Sequence, residues 1–130
     1  MKKVLLLGDS IRMGYDDYVK EELDGKCEVV YDAEDNGRFA AYTLWQANQM
    51  FKHHGHFDVV HWNNGYWDMN IEAPMTEAMH PVEEYALLKA HHQAVQRKRR
   101  EDHLRDHHAD FGARHGGRQH RHAGGQHQLQ

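Results

Sequence analysis

Val4-Leu5-Leu6-Leu7-Gly8-Asp9-Ser10-Ile11-Arg12 decides the fold class. Four consecutive branched aliphatic residues end abruptly in turn chemistry, as expected of a parallel strand buried on both faces. Ile11, Tyr15, Tyr18, Val19 and Leu23 then recur at helical spacing, and Asp24-Gly25 closes that helix. The alternation continues. Residues 27–31 form a second β run, and Asp35-Asn36-Gly37 a loop. Ala40, Leu44, Ala47 and Phe51 mark a second helix that ends near Gly55, and residues 57–62 a third strand broken by Asn63-Asn64-Gly65. Pro81 opens a third helix carrying Val82, Tyr85 and Leu88. Strand and helix in strict alternation predict an α/β fold with right-handed crossovers and a parallel sheet covered on both faces. Ligands of such sheets bind beyond the carboxyl ends of the strands. Here those ends are residues 8–10, 32–37 and 63–68.

The composition changes near residue 90. Residues 91–130 hold nine of the 14 histidines and a net charge of +4, which leaves −8 on residues 1–90 and −4 overall. The mean hydropathy of −0.96 is low for a folded domain. The chain of 130 residues therefore divides into one domain over 1–90 and a low-complexity His/Arg/Gly/Gln-rich tail over 91–130. The tail is expected to be helical to about Asp110 and disordered beyond it, because its few apolar residues cannot offset ordering entropy. No global basic excess points to nucleic acid, and no apolar run is long enough to span a membrane. A single cysteine, Cys27, excludes an internal disulfide and a multi-cysteine metal site. A cytoplasmic protein is the expectation.

Three segments at the strand ends carry chemistry. Ser10 sits where strand one turns into helix one, near the positive end of a helix dipole. A histidine that takes its proton makes such a hydroxyl a nucleophile. Asp9 or Ser10 acting only as a helix cap explains Gly-Asp-Ser equally well. Gly37 lies in the loop after strand two, where a plain Asn-Gly turn is the competing explanation. After strand three come His61, Asn63, Asn64, Gly65 and Asp68. The asparagines also suit a strand end, His61 a hydrogen-bonded core position, and Asp68 a loop cap.

Together these blocks resemble the SGNH (GDSL-type) hydrolases over roughly residues 1–90, about half of a family domain. Gly8-Asp9-Ser10 is similar to the family's first block, Gly37 to its second, and His61-x-Asn63-x-Gly65-x-x-Asp68 to a variant of its third. The resemblance implies a flavodoxin-like three-layer α/β/α fold, here cut to about three strands. It implies a serine ester hydrolase acting on acyl esters or carbohydrate O-acetyl esters, without a cofactor. Ser10 would be the nucleophile. Its own N–H, the Gly37 N–H and the Asn63 side-chain amide would form the oxyanion hole, with Asn64 second choice to Asn63. Asp9 and Asp68 would support them. Trp62, Tyr66 and Trp67 flank this site as stacking or core residues, and Arg12 and Arg38 as substrate-orienting or solvated rim residues. Tyr15, Tyr18, Trp45 and Tyr85 are read as packing residues.

The family's general base belongs to a C-terminal Asp-x-x-His block. The only Asp-x-x-His here is Asp58…His61, inside strand three. The chain is therefore expected to have weak or no esterase activity. Residues from about 86–91 onward read as translated out of frame. Shifted by one nucleotide, permitted codons there can encode a helix end, a glycine turn and a β-branched strand. The alternative function is a non-catalytic fragment whose His-rich tail binds metal or polyanions. His103 with His107, the cluster His53, His54 and His56, and the pair His120 and His122 carry it. No carboxylate or cysteine is arranged around them, and solvated histidines explain them as well. The run Gln96-Arg97-Lys98-Arg99-Arg100 reads as a solvated helix face.

Overall fold

The computed structural model describes residues 1–116. Three strands, β1 (Lys2–Gly8), β2 (Cys27–Val30) and β3 (Val59–Asn63), form one parallel sheet in the order β2-β1-β3. The helices are α1 (Ser10–Glu22), α2 (Ala40–His54), the short α3 (Tyr66–Met69) and the long α4 (Val82–Gly116). Lys2 pairs with Cys27 in one register, and Val4 with Val59 in the other. The expected α/β alternation and parallel sheet are present.

Alternation along β1 sorts the core into two layers. Val4 and Leu6, with Val29, meet Val19 and Leu23 of α1. Leu5 and Leu7 face the other way onto Ala47, Met50 and Phe51 of α2, with Phe57 and Val95 of α4 completing that cluster. Because β1 is central, its aliphatic run is buried from both sides, which is why it reads as continuous rather than alternating.

Two aromatic residues read as packing residues are exposed instead. Tyr18 is 71% and Trp45 55% exposed, each on the outer face of its helix. Trp45 stands against the neighbouring ring of Tyr42, at 5.7 Å. Helical spacing alone did not separate the buried stripe from its flanks.

The tail differs from expectation too. α4 continues through Gly116, past the expected end near Asp110. An isolated glycine in a helix costs only about 1 kcal/mol, so Gly112 does not stop it. The disorder expected further on, at 117–130, lies outside the described residues, as do His120 and His122.

α4 covers the sheet with polar side chains. His92 is buried, its ring 3.6 Å from that of Trp62 and its Nε2 2.7 Å from Gln96 Nε2. Its Nδ1 and the Trp62 Nε1 are buried without hydrogen-bond partners. Burial, and secondarily the charge of Lys89, pull the His92 pKa down to about 4. The unfolded chain then binds a proton more readily than the folded one, so this histidine's contribution to stability is complete above about 6.5 and lost as pH falls toward 4. We expect His92→Phe to flatten the loss of melting temperature between pH 6.5 and 4. An unchanged acid slope would contradict this.

Candidate functional site

The carboxyl ends of all three strands meet at one rim, stitched by backbone hydrogen bonds. Asp9 N donates to Asn63 O (3.2 Å), and Gly37 N to Gly8 O (2.8 Å). Asn64 Nδ2 donates to Arg38 O (2.9 Å), and the Tyr85 hydroxyl to Asn64 O (2.9 Å). Gly8 takes φ +152°, and a Cβ there would stand 2.3 Å from Asn63 O. Close strand-to-loop contact therefore demands glycine at this position.

Ser10 is the first residue of α1 and is exposed. Its N–H belongs to the first helical turn, whose donors have no intrahelical acceptor. Asp9 is the N-cap: its Oδ1 accepts from Ile11 N at 2.9 Å, while its buried Oδ2 has no partner. The capping explanation for Asp9 thus holds, and it leaves the Ser10 hydroxyl at the surface.

Of the three expected oxyanion donors, Gly37 is engaged within the fold. The Gly37 N–H is spent on Gly8 O, and Gly37 O accepts from Thr43 Oγ1 at 2.8 Å. Gly37 is thus a close-packing glycine here, and not the free donor expected of it. The Asn63 side chain acts on the Tyr15 hydroxyl, pulling its pKa down against the effect of burial. That hydroxyl also lies 3.0 Å from His61 Nε2. His61 is exposed, not a core residue, although hydrogen-bonded as expected. Burial raises the Tyr15 pKa, so the phenol stays protonated.

Arg12 corrects a further expectation. It neither solvates the rim nor faces a substrate. It is 1% exposed and inserts beneath the β2–α2 loop. Its Nη1 donates to Asp32 O (2.8 Å) and its Nη2 to Asp35 O (2.7 Å). Asp16, one turn along α1, pairs with it at 3.0 Å. From the other side Gln46 Nε2 donates to Asp35 O (3.1 Å) and the Tyr42 hydroxyl to Asp35 Oδ2 (2.6 Å). The loop that carries Gly37 is therefore clamped by both α1 and α2. Arg38 remains at the rim, with its guanidinium 5.0 Å from the Tyr42 ring.

Trp62 points away from the rim, under α4, with Lys89 Nζ 4.2 Å from its ring. Tyr66 is exposed. Trp67 packs edge-on against Phe39 at 5.4 Å. Sequence reasoning missed His80, which lies 3.0 Å from Asp68 through Nδ1. No residue spacing marks the pair, because the loop from Asn70 to Pro81 brings them together.

A cleft of about 540 Å³ lies at the opposite, amino-terminal end of β3, between α4 and the end of α2. His56 and His103 stack there at 3.7 Å. Among the described residues no group of three or more His, Cys, Asp or Glu side chains is placed to hold a metal ion. Among the same residues no helix is long and apolar enough to cross a membrane. No protein-family model, curated protein or solved structure matches the chain.

Proposed function

We propose that the chain carries the nucleophile half of an SGNH-type serine ester hydrolase. The observation that carries this reading is the placement of Ser10: an exposed hydroxyl at the start of α1, on the strand-end rim, beside the Asp9–Asn63 and Gly8–Gly37 contacts. The order β2-β1-β3 is compatible with the first three strands of a flavodoxin-like sheet, 2-1-3-4-5. In the proposed reaction Ser10 attacks an ester carbonyl, the Ser10 N–H and the Asn63 amide bind the oxyanion, and water cleaves the acyl-enzyme. Acyl esters and carbohydrate O-acetyl esters are the proposed substrates, with no cofactor.

Turnover is expected to be weak, because the Gly37 N–H is engaged and the Asp-x-x-His block is missing. The tail from about 86–91 onward we read as out of frame. The poor match of α4 to the face it covers supports this: among the described residues Val95 is its one contribution to the apolar cluster, and the His92 Nδ1 and Trp62 Nε1 are orphaned at that seam. The coding DNA across codons 80–130 checks that reading.

A fluorophosphonate probe tests the nucleophile. We expect slow labelling of the intact chain, mapped by peptide mass spectrometry to Ser10 and abolished by Ser10→Ala. Labelling elsewhere, or none, would sink the reading.

A further inference from the structure

The cleft of about 540 Å³ lies at the other end of the sheet from Ser10, and the hydrolase reading makes no use of it. Its size suits a small organic ligand. Its floor is apolar: Phe51 and Phe57 pack edge-on at 5.8 Å, beside Val60. One wall is the turn from α2 into β3, at Gly55 and His56. The other wall is α4, and the His56–His103 stack joins the two at 3.7 Å.

The basic run that reads as a solvated helix face supplies the polar side of this cleft. Arg97, Arg99 and Arg100 all line it. Among the described residues none of the three has a hydrogen bond or an ion pair, and the Arg99 guanidinium lies 5.1 Å from the Phe51 ring. Of the three carboxylates at the cleft, two are already engaged. Asp58 accepts from Lys3 N at 2.7 Å and lies 3.6 Å from His56 Nε2. Asp102 pairs at 2.9 Å with Arg105, which stands outside the cleft. That leaves Asp106 against three guanidiniums. A guanidinium presents a planar fork of N–H donors that matches a carboxylate. Arg97 and Arg100 stand one turn apart, on the same side of α4. An apolar floor beneath an unbalanced positive wall complements an anion with a hydrocarbon body. A bare inorganic anion uses the wall alone, and a neutral hydrocarbon the floor alone.

We propose that this cleft binds a small amphipathic carboxylate, with its headgroup on Arg97 and Arg100 and its hydrocarbon chain along Phe51, Phe57 and Val60. Binding is reversible and involves no covalent step. The proposal concerns the chain as translated and does not rest on the hydrolase reading.

The test is an amide NMR titration of the intact chain with octanoate, hexanoate, octan-1-ol and inorganic phosphate. Octanoate is expected to give saturable shifts in residues 51–60 and 93–106, and none at Ser10. Hexanoate, two methylenes shorter, should bind about 10-fold more weakly. Octan-1-ol lacks the charge and phosphate lacks the chain, so each should also bind at least about 10-fold more weakly. The double variant Arg97→Gln/Arg100→Gln should lose about 10-fold or more in octanoate affinity. Its melting temperature should not change, because both side chains are exposed and make no bond within the described fold. Unchanged octanoate affinity in that variant overturns the proposal. So does phosphate or octan-1-ol binding as tightly as octanoate, saturation at the Ser10 rim in place of the cleft, or no saturable shift at all. Labelling of Ser10 is read separately, so failure here leaves the hydrolase reading standing.

Discussion

Gly37→Ala is expected to unfold the chain at ambient temperature. A Cβ at this position would stand 2.3 Å from Gly8 O and 2.6 Å from Thr43 Oγ1. The first neighbour is backbone of the central strand, held in place by β2 and β3, and cannot withdraw as a flexible side chain can. Relief requires moving the loop, which breaks the Gly37 N–Gly8 O and Thr43 Oγ1–Gly37 O hydrogen bonds. Overpacking of this kind costs about 3 kcal/mol. Each hydrogen bond lost adds about 1 kcal/mol. Small domains have roughly 5–15 kcal/mol in total, and a three-stranded sheet with open edges belongs at the low end. Urea denaturation followed by tryptophan fluorescence reads the outcome. A midpoint equal to that of the unmodified chain would mean that the loop does not sit against β1 as described.

The second large effect is expected for Arg12→Ala. Burying a guanidinium is costly, and this one is compensated by two loop carbonyls and Asp16. Removing it strands Asp16 as a buried, unpaired carboxylate and frees the loop from α1. Breaking a buried pair from one side costs about 3–5 kcal/mol. Burial already pushes the Asp16 pKa up to about 6, with Arg12 pulling against it. The folded state therefore holds this proton more tightly than the unfolded chain does. Its contribution to stability shrinks as pH rises from about 4 through 6. In the Arg12→Ala background, Asp16→Asn should recover part of the lost stability, since the stranded charge is gone. The loop clamp should stay lost. Additive single and double variants would show that the two side chains do not act as a pair.

The sheet was legible in the sequence because one physical signal dominates it. Val4 to Leu7 are apolar at successive positions, which only a strand covered on both faces requires, and Gly8 ends the run where backbone must approach backbone. α1 and α2 were legible in number and position. Their faces were less so: Tyr18 and Trp45 have the hydrophobicity of core residues, and nothing local shows that they fall just outside the buried stripe. Sequence put Asp9 and Ser10 at the β1–α1 junction but left open which of them caps the helix; the structure gives that bond to Asp9. Arg12 was misread because an arginine two residues after the proposed nucleophile invites a substrate role. Asp16 is its neighbour on the same helix, but its loop partners Asp32 and Asp35 meet it only once the β2–α2 crossover has folded back. The Gly37 N–H was assigned outward, and the fold turns it onto Gly8. His80 was invisible for a related reason, since its bond to Asp68 depends on how residues 70–80 return to the rim, and no periodicity encodes that path.

The order of the strands has a consequence for synthesis. β1 leaves the ribosome first but lies in the middle, and one of its two neighbours, β3, follows more than fifty residues later. Closing so long a loop is slow compared with forming α1 or α2. Until Asn63 arrives, Asp9 N lacks its acceptor and Gly8 lacks the carbonyl against which it folds. The nascent chain thus carries its serine on an unformed corner. That corner takes shape only when the last strand docks, so the chemistry proposed for Ser10 must await completion of the sheet.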